Sequence, residues 1–215
     1  MSKVIDLSFP FEHGQLNFPF DPKISVIAHN TVSTIGYNIT QFSMSTHQGT
    51  HLDAPYHFFD DGKTVDLIPL DRFYGPALLM DLAPGSQLAA KTPITPAMFE
   101  PYADRIKPGA KVIYRTGWDR AFGTHEYFSD YPSLTPDAAR WLAERRIGLV
   151  GMDTPTPGAQ WKEVHWILLA QGTEIVIVEG LTGLEQLPAS FTFSAFPLNI
   201  KGRDGAPCRA VAIVD

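Results

Sequence analysis

Residues 47–57, His-Gln-Gly-Thr-His-Leu-Asp-Ala-Pro-Tyr-His, constrain this chain more tightly than any other stretch: three of its seven histidines and one carboxylate fall within these positions. Imidazole nitrogen and carboxylate oxygen are the usual ligands of zinc and also serve manganese and iron. Side chains alternate along a strand, so His47, Gly49, His51, Asp53, Pro55 and His57 would share one face of an extended segment. A helix would align His47 with His51 but carry Asp53 round the cylinder, and Gly49 and Pro55 both disfavour it. The spacing predicts a strand that aims His47, His51 and Asp53 at one point, with His57 close by and Gly49 leaving room between the ligands. The flanks (Phe42, Met44, Leu52, Phe58, Phe59) are apolar, and clustered imidazoles in apolar surroundings need a polar partner. A metal ion supplies one.

The rest of the chain reads as a scaffold for such a site. At 215 residues with 44% hydrophobic and 19% charged residues, one soluble globular domain spanning 1–215 is expected. A net charge of −6 and the lack of any basic run give no reason to expect nucleic acid or an anionic membrane as partner. No apolar stretch is long enough to span a bilayer, and Asp6 comes too early for a signal-peptide core, so a cytoplasmic location is expected. Cys208 is the only cysteine, which excludes intrachain disulfides and thiolate clusters; it reads as core. No P-loop, dinucleotide fingerprint or nucleophile elbow is present.

Strands are expected over residues 4–9, 23–28, 35–45, 76–82, 111–116, 148–152, 175–178, 191–196 and 209–214, with a Pro/Gly-rich loop over 9–22. Thr95-Pro96 and Thr135-Pro136-Asp137 look like helix caps with proline at the first helical position, the second opening a helix to Arg146. Residues 163–171 read as a short helix. The pattern is α/β or α+β with a substantial, mostly mixed sheet.

The signature resembles the H-x-G-T-H-x-D-x-P-x-H motif of the cyclase family of metal-dependent hydrolases, which includes kynurenine formamidases and isatin hydrolases. Ile5-Asp6-Leu7-Ser8, Arg115-Thr116-Gly117-Trp118, Gly151-Met152-Asp153-Thr154-Pro155, Val178-Glu179-Gly180-Leu181 and Phe196-Pro197-Leu198 are similar to further landmarks, in family order. The resemblance implies a swivelling-type ββα sandwich or barrel, and a homodimer or homotetramer. It also implies that Asp53, His165 and Glu179 can hold a second ion. The segment from His165 to Glu179 is longer than the family pattern, which a bulge or longer turn near residues 172–174 would absorb.

The chemistry expected is hydrolysis of a C–N bond in an amide, formamide or cyclic imide by water that one or two Zn²⁺ or Mn²⁺ ions activate. His57, Glu179 and His165 are candidates to move the proton. Phe18, Phe20, Phe59 and Trp161 are candidates to line a site for a small aromatic substrate. A cyclic amide or lactone hydrolase is the close alternative, and a lyase or cyclase working through an enolate is the rival from another class. Asp153 reads as a loop-capping residue, and His13, His29 and His125 as surface or pocket-rim residues.

Overall fold

The computed structural model describes residues 2–215, in which the apolar runs of the sequence become thirteen strands. In chain order these are β1 (Lys3–Asp6), β2 (Ser25–Asn30), β3 (Ile39–Ser43), β4 (His51–Asp53), β5 (Tyr74–Asp81), β6 (Pro93–Ile94) and β7 (Lys111–Arg115). There follow β8 (Ser133–Leu134), β9 (Leu149–Met152), β10 (Val176–Glu179), β11 (Ser190–Ser194), β12 (Gly205–Pro207) and β13 (Val211–Val214). Nine of them form one sheet, ordered β1-β13-β11-β5-β7-β9-β10-β4-β12. β5, β7, β9 and β10 are parallel, and antiparallel strands flank them on both sides. The fold is therefore α/β with a mixed, curled sheet.

Strands in the parallel centre are buried on both faces, which is why they read as continuous apolar runs. Val112, Tyr114, Val150, Met152 and Ile177 face a core shared with the helices Pro136–Glu144 and Trp161–Leu169. Ile113, Leu149, Val176 and Val178 face a second core, closed by the curl of the sheet, where Leu52, Phe193 and Ala212 meet them. Thr135 caps the first helix by accepting a hydrogen bond from the Ala138 amide, with Pro136 at the first helical position. Past its end, the Arg145 guanidinium lies 3.3 Å over the Trp141 ring. Burial pushes the Cys208 thiol up to about 12, as a core cysteine requires.

The N-terminal third departs most from the sequence reading. The expected strands 23–28 and 35–45 become β2 and β3, a separate two-stranded ribbon with a helical turn, Val32–Ile35, between them. The ribbon ends at Ser43, short of the histidine motif. Only His51–Asp53 of that motif is strand, and Pro55–His57 is a 3-10 turn.

Candidate metal centre

β4 and β10 are antiparallel, with Glu179 opposite His51 and Ile177 opposite Asp53. Alternation puts His51 and Asp53 on one face, and the register adds Glu179 to it. The helix Trp161–Leu169 covers that face and brings His165 down onto it. His51 Nε2 lies 3.5 Å from Asp53 Oδ1 and 3.3 Å from Glu179 Oε2. His165 Nε2 lies 3.4 Å from both Asp53 Oδ2 and Glu179 Oε1. All four residues are buried.

The other nitrogen of each imidazole is already engaged. His51 Nδ1 is 2.9 Å from the Gly49 carbonyl, and His165 Nδ1 is 2.7 Å from the Trp161 carbonyl. A carbonyl only accepts, so each Nδ1 carries a proton and each Nε2 is the atom left to face the carboxylates. His51 Nε2, Asp53 Oδ2 and Glu179 Oε1 are buried without a hydrogen-bond partner. Buried unpaired polar atoms are costly, and several facing one point call for a cation. The nitrogen–oxygen separations of 3.3–3.5 Å are long for hydrogen bonds, and His51, Asp53 and Glu179 can each offer one ligand atom within 4.8 Å of the others. The donor set, imidazole nitrogen and carboxylate oxygen, fits a divalent metal.

The site's electrostatics state the same demand. Burial alone would raise Asp53, yet His47, His57 and His165 hold its carboxyl well below the usual range. Burial opposes charge on His165, but Asp53 and Glu179 outweigh it and raise the imidazole to about 9.

His47 reaches the centre from outside the strand. Gly49 turns the chain at φ +59°, a conformation that favours glycine, and a Cβ there would lie 2.8 Å from the Phe11 ring. The glycine therefore serves a turn and a close approach, not the space between ligands expected from the sequence. His47 Nδ1 is 2.8 Å from Asp53 Oδ1, and its Nε2 is 2.5 Å from Asp204 Oδ2. Burial disfavours charge on His47, but Asp53 and Asp204 raise it to about 10. His57 stacks on His47, ring centroids 3.9 Å apart, and burial holds it down to about 4. His47, His51 and His165 thus gather around the Asp53 carboxylate, and Glu179 meets His51 and His165. The His51–Glu179 contact joins the two ligand sets that the sequence kept apart. Between His165 and Glu179 the chain turns at residues 170–174, where the Thr173 and Glu174 amides donate to the Ala170 carbonyl and Glu174 has φ +45°.

A pocket of about 270 Å³ opens onto this centre. Of the four aromatics named from the sequence, Phe18, Phe20 and Trp161 line it and Phe59 does not. The turn Pro55–His57 sends Phe59 against the helix-side core and gives the pocket Phe58, whose ring stacks on His165 at 4.4 Å. Phe122, Tyr127 and Phe128 complete the aromatic wall, and no Lys or Arg lines it. Asp153 is a loop clamp, though for a neighbouring loop and not its own: it accepts from the Thr116 and Gly117 amides and the Thr116 hydroxyl. His13, His29 and His125 are exposed and outside the pocket. Asp204 escaped the sequence reading because a lone aspartate in a polar turn carries no local signal.

The family model described as "Putative cyclase" matches residues 5–159. A kynurenine formamidase of Bacillus cereus is 29% identical over 98% of this chain and 97% of its own length. One from Paracidovorax citrulli is 30% identical over 96% of this chain and 94% of its own. Among solved structures, isatin hydrolase A from Labrenzia aggregata superposes with a TM-score of 0.86 at 29% identity, covering 99% of this chain and 94% of that one.

Proposed function

The chain belongs to the cyclase family, and from that premise we propose that it is a metal-dependent hydrolase of an amide C–N bond. One observation carries the reading: His51 Nε2, Asp53 Oδ2 and Glu179 Oε1, buried and unpartnered, at the inner end of an aromatic pocket. We assign His47, His51 and Asp53 to a first ion, and Asp53, His165 and Glu179 to a second where two bind. Zn²⁺ and Mn²⁺ both suit these donors. Bound there, such an ion polarises a carbonyl and lowers the pKa of water.

The chain's own residues supply the rest. His57 is neutral at physiological pH because burial holds it near 4, so its imidazole is free to take a proton and pass it to the leaving nitrogen. Glu179 and His165 are the alternative carriers. The walls of Phe18, Phe58, Phe128 and Trp161 exclude water and offer faces to an aryl group. With no Lys or Arg to hold an anion, the pocket suits an aryl amide bound through its ring.

An aryl formamide is the substrate we favour, in line with the kynurenine formamidases among the relatives. A cyclic aryl amide is the second reading, in line with the isatin hydrolase. Purified protein given an N-formylaniline and a cyclic aryl amide in H₂¹⁸O tests both. Hydrolysis places label in the carboxylate product, whereas a lyase or cyclase leaves it unlabelled. His51→Ala and Asp53→Ala should lose both bound metal and turnover, and a wild-type protein without metal would overturn the reading.

We also propose a homodimer or homotetramer. Aromatics of the N-terminal loop are partly used within the chain: Phe9 stacks on Phe122 at 3.6 Å, and Phe18 meets Phe128 edge-on. The ribbon β2–β3 offers the better surface, with Ile27, Val32, Tyr37 and Phe42 each more than half exposed. No helix among the described residues is long and apolar enough to cross a membrane. With the single cysteine, that is consistent with the cytoplasm.

A further inference from the structure

The centre's imidazoles are not held alike. His51 and His165 each give Nδ1–H to a backbone carbonyl and turn Nε2 inward. His47 is reversed: Nδ1 faces Asp53, and Nε2 faces the carboxylate of Asp204. Asp204 is the one side chain that takes up this outer nitrogen, and it comes from the far end of the sequence.

The backbone that carries Asp204 is pinned to the strand of ligands. The Arg203 carbonyl accepts from the Val65 amide and the Asp204 carbonyl from the Ala54 amide, each at 2.8 Å. Gly205, the next residue, pairs with Asp53 across β12 and β4. A Cβ at Gly205 would run into the Leu52 carbonyl and lie 2.9 Å from His47 Cε1, so only glycine lets the chain pass this close to the ring. The Thr46 hydroxyl donates to the same Asp204 oxygen at 2.8 Å and fixes its direction.

We propose that Asp204 is a positioning residue of the metal centre. It accepts Nε2–H from His47, fixes that tautomer, and leaves Nδ1 as the ligand atom, while His51 and His165 present Nε2. The inference rests on the hydrolase reading above. A carboxylate behind a ligating imidazole orients the ring and raises its basicity, and losing such a partner weakens metal binding about 10–100-fold. His47 gains most from a charged acceptor because it lies at the rim, where water competes for Nε2; its side chain is 16% exposed against 5% for His51 and His165.

Zn²⁺ affinity, measured by chelator competition, and the melting temperature of metal-free protein should be compared for wild type, Asp204→Ala and Asp204→Asn. Asp204→Ala should bind Zn²⁺ about 10–100-fold more weakly. Asp204→Asn keeps an acceptor oxygen and the side-chain volume, should fold where the alanine variant does not, and should fall between the two. In ¹⁵N-histidine spectra of the Zn²⁺-loaded wild type, His47 should carry its proton on Nε2, with His51 and His165 protonated on Nδ1. Zn²⁺ affinity within twofold of wild type in both variants, or a His47 proton on Nδ1, overturns the proposal. If only the melting temperature falls, Asp204 is a loop anchor and the assignment is wrong. A wild type that binds Zn²⁺ normally beside unaffected variants sinks the role of Asp204 alone; a wild type that binds none sinks the hydrolase reading with it.

Discussion

His57 sits against His47 and within reach of the centre, yet nothing in its surroundings makes it a ligand of first choice. Its Nδ1 is 4.0 Å from Asp204 Oδ2, and burial keeps the ring neutral. His57→Asn should therefore retain metal at the wild-type level while kcat falls ~10²–10⁴-fold, the usual worth of an acid–base group. His47, Asp53 and His57 can also be grouped around one ion, so parallel loss of metal and turnover would make His57 a ligand. Full activity with full metal would remove it from the chemistry. Alternation in the sequence pointed to His47, His51, Asp53 and His57 together, but the reason holds only for the pair on β4. His47 and His57 arrive through a glycine turn and a 3-10 turn, which no periodicity encodes. Phe58 and Phe59 could not be told apart either, since both are apolar and the turn before them decides which faces the pocket.

The four parallel strands end in a row of polar groups: Asp81, then Thr116 just past β7, Asp153 just past β9, and Glu179. Sites in α/β sheets gather at such carboxyl ends, and here Glu179 meets the centre while Asp153 builds its wall. Asp153 is fully buried and ties down Thr116 and Gly117, beyond which Trp118 donates its indole N–H to the Tyr127 carbonyl beside the pocket. Asp153→Ala would leave buried amides unpaired and should cost on the order of 3 kcal/mol of stability. Burial, with Asp119 adding to it, raises Asp153 to about 7 against the hydrogen bonds from Thr116 and Gly117. The folded protein then holds this proton more tightly than the unfolded chain, whose carboxyl titrates near 3.8. The stabilising term is complete below about pH 4 and is lost as the pH rises towards 7. Urea unfolding between pH 4.5 and 7.5 should show that slope in wild type and a shallower one in Asp153→Asn; parallel slopes would mean that Asp153 is ionised throughout. These strands were legible because double burial makes them unbroken apolar runs. The short strands β6, β8 and β12 were not, because two or three residues without a marked alternation leave no pattern.

One curled sheet encloses one core, the helices cover the other face, and the centre lies under the helix that brings His165. That leaves the ribbon β2–β3 outside both cores. None of its strand residues is buried, although Ile27, Ile39 and Phe42 are apolar. Two strands alone are marginal in water, and exposed apolar residues on a ribbon need a covering surface. A second copy of the chain, as proposed above, would supply one under closed symmetry, since the same patch would then meet itself or a fixed neighbour. Light scattering at micromolar concentration should give at least twice 23.8 kDa. Ile27→Asp combined with Phe42→Asp should lower the mass toward the single chain, and the far-ultraviolet circular dichroism should persist because neither residue belongs to a core. A wild-type mass of one chain would refute the oligomer. An oligomer unmoved by both substitutions would place the interface elsewhere, with the exposed Phe20 at the mouth of the pocket as the next residue to change.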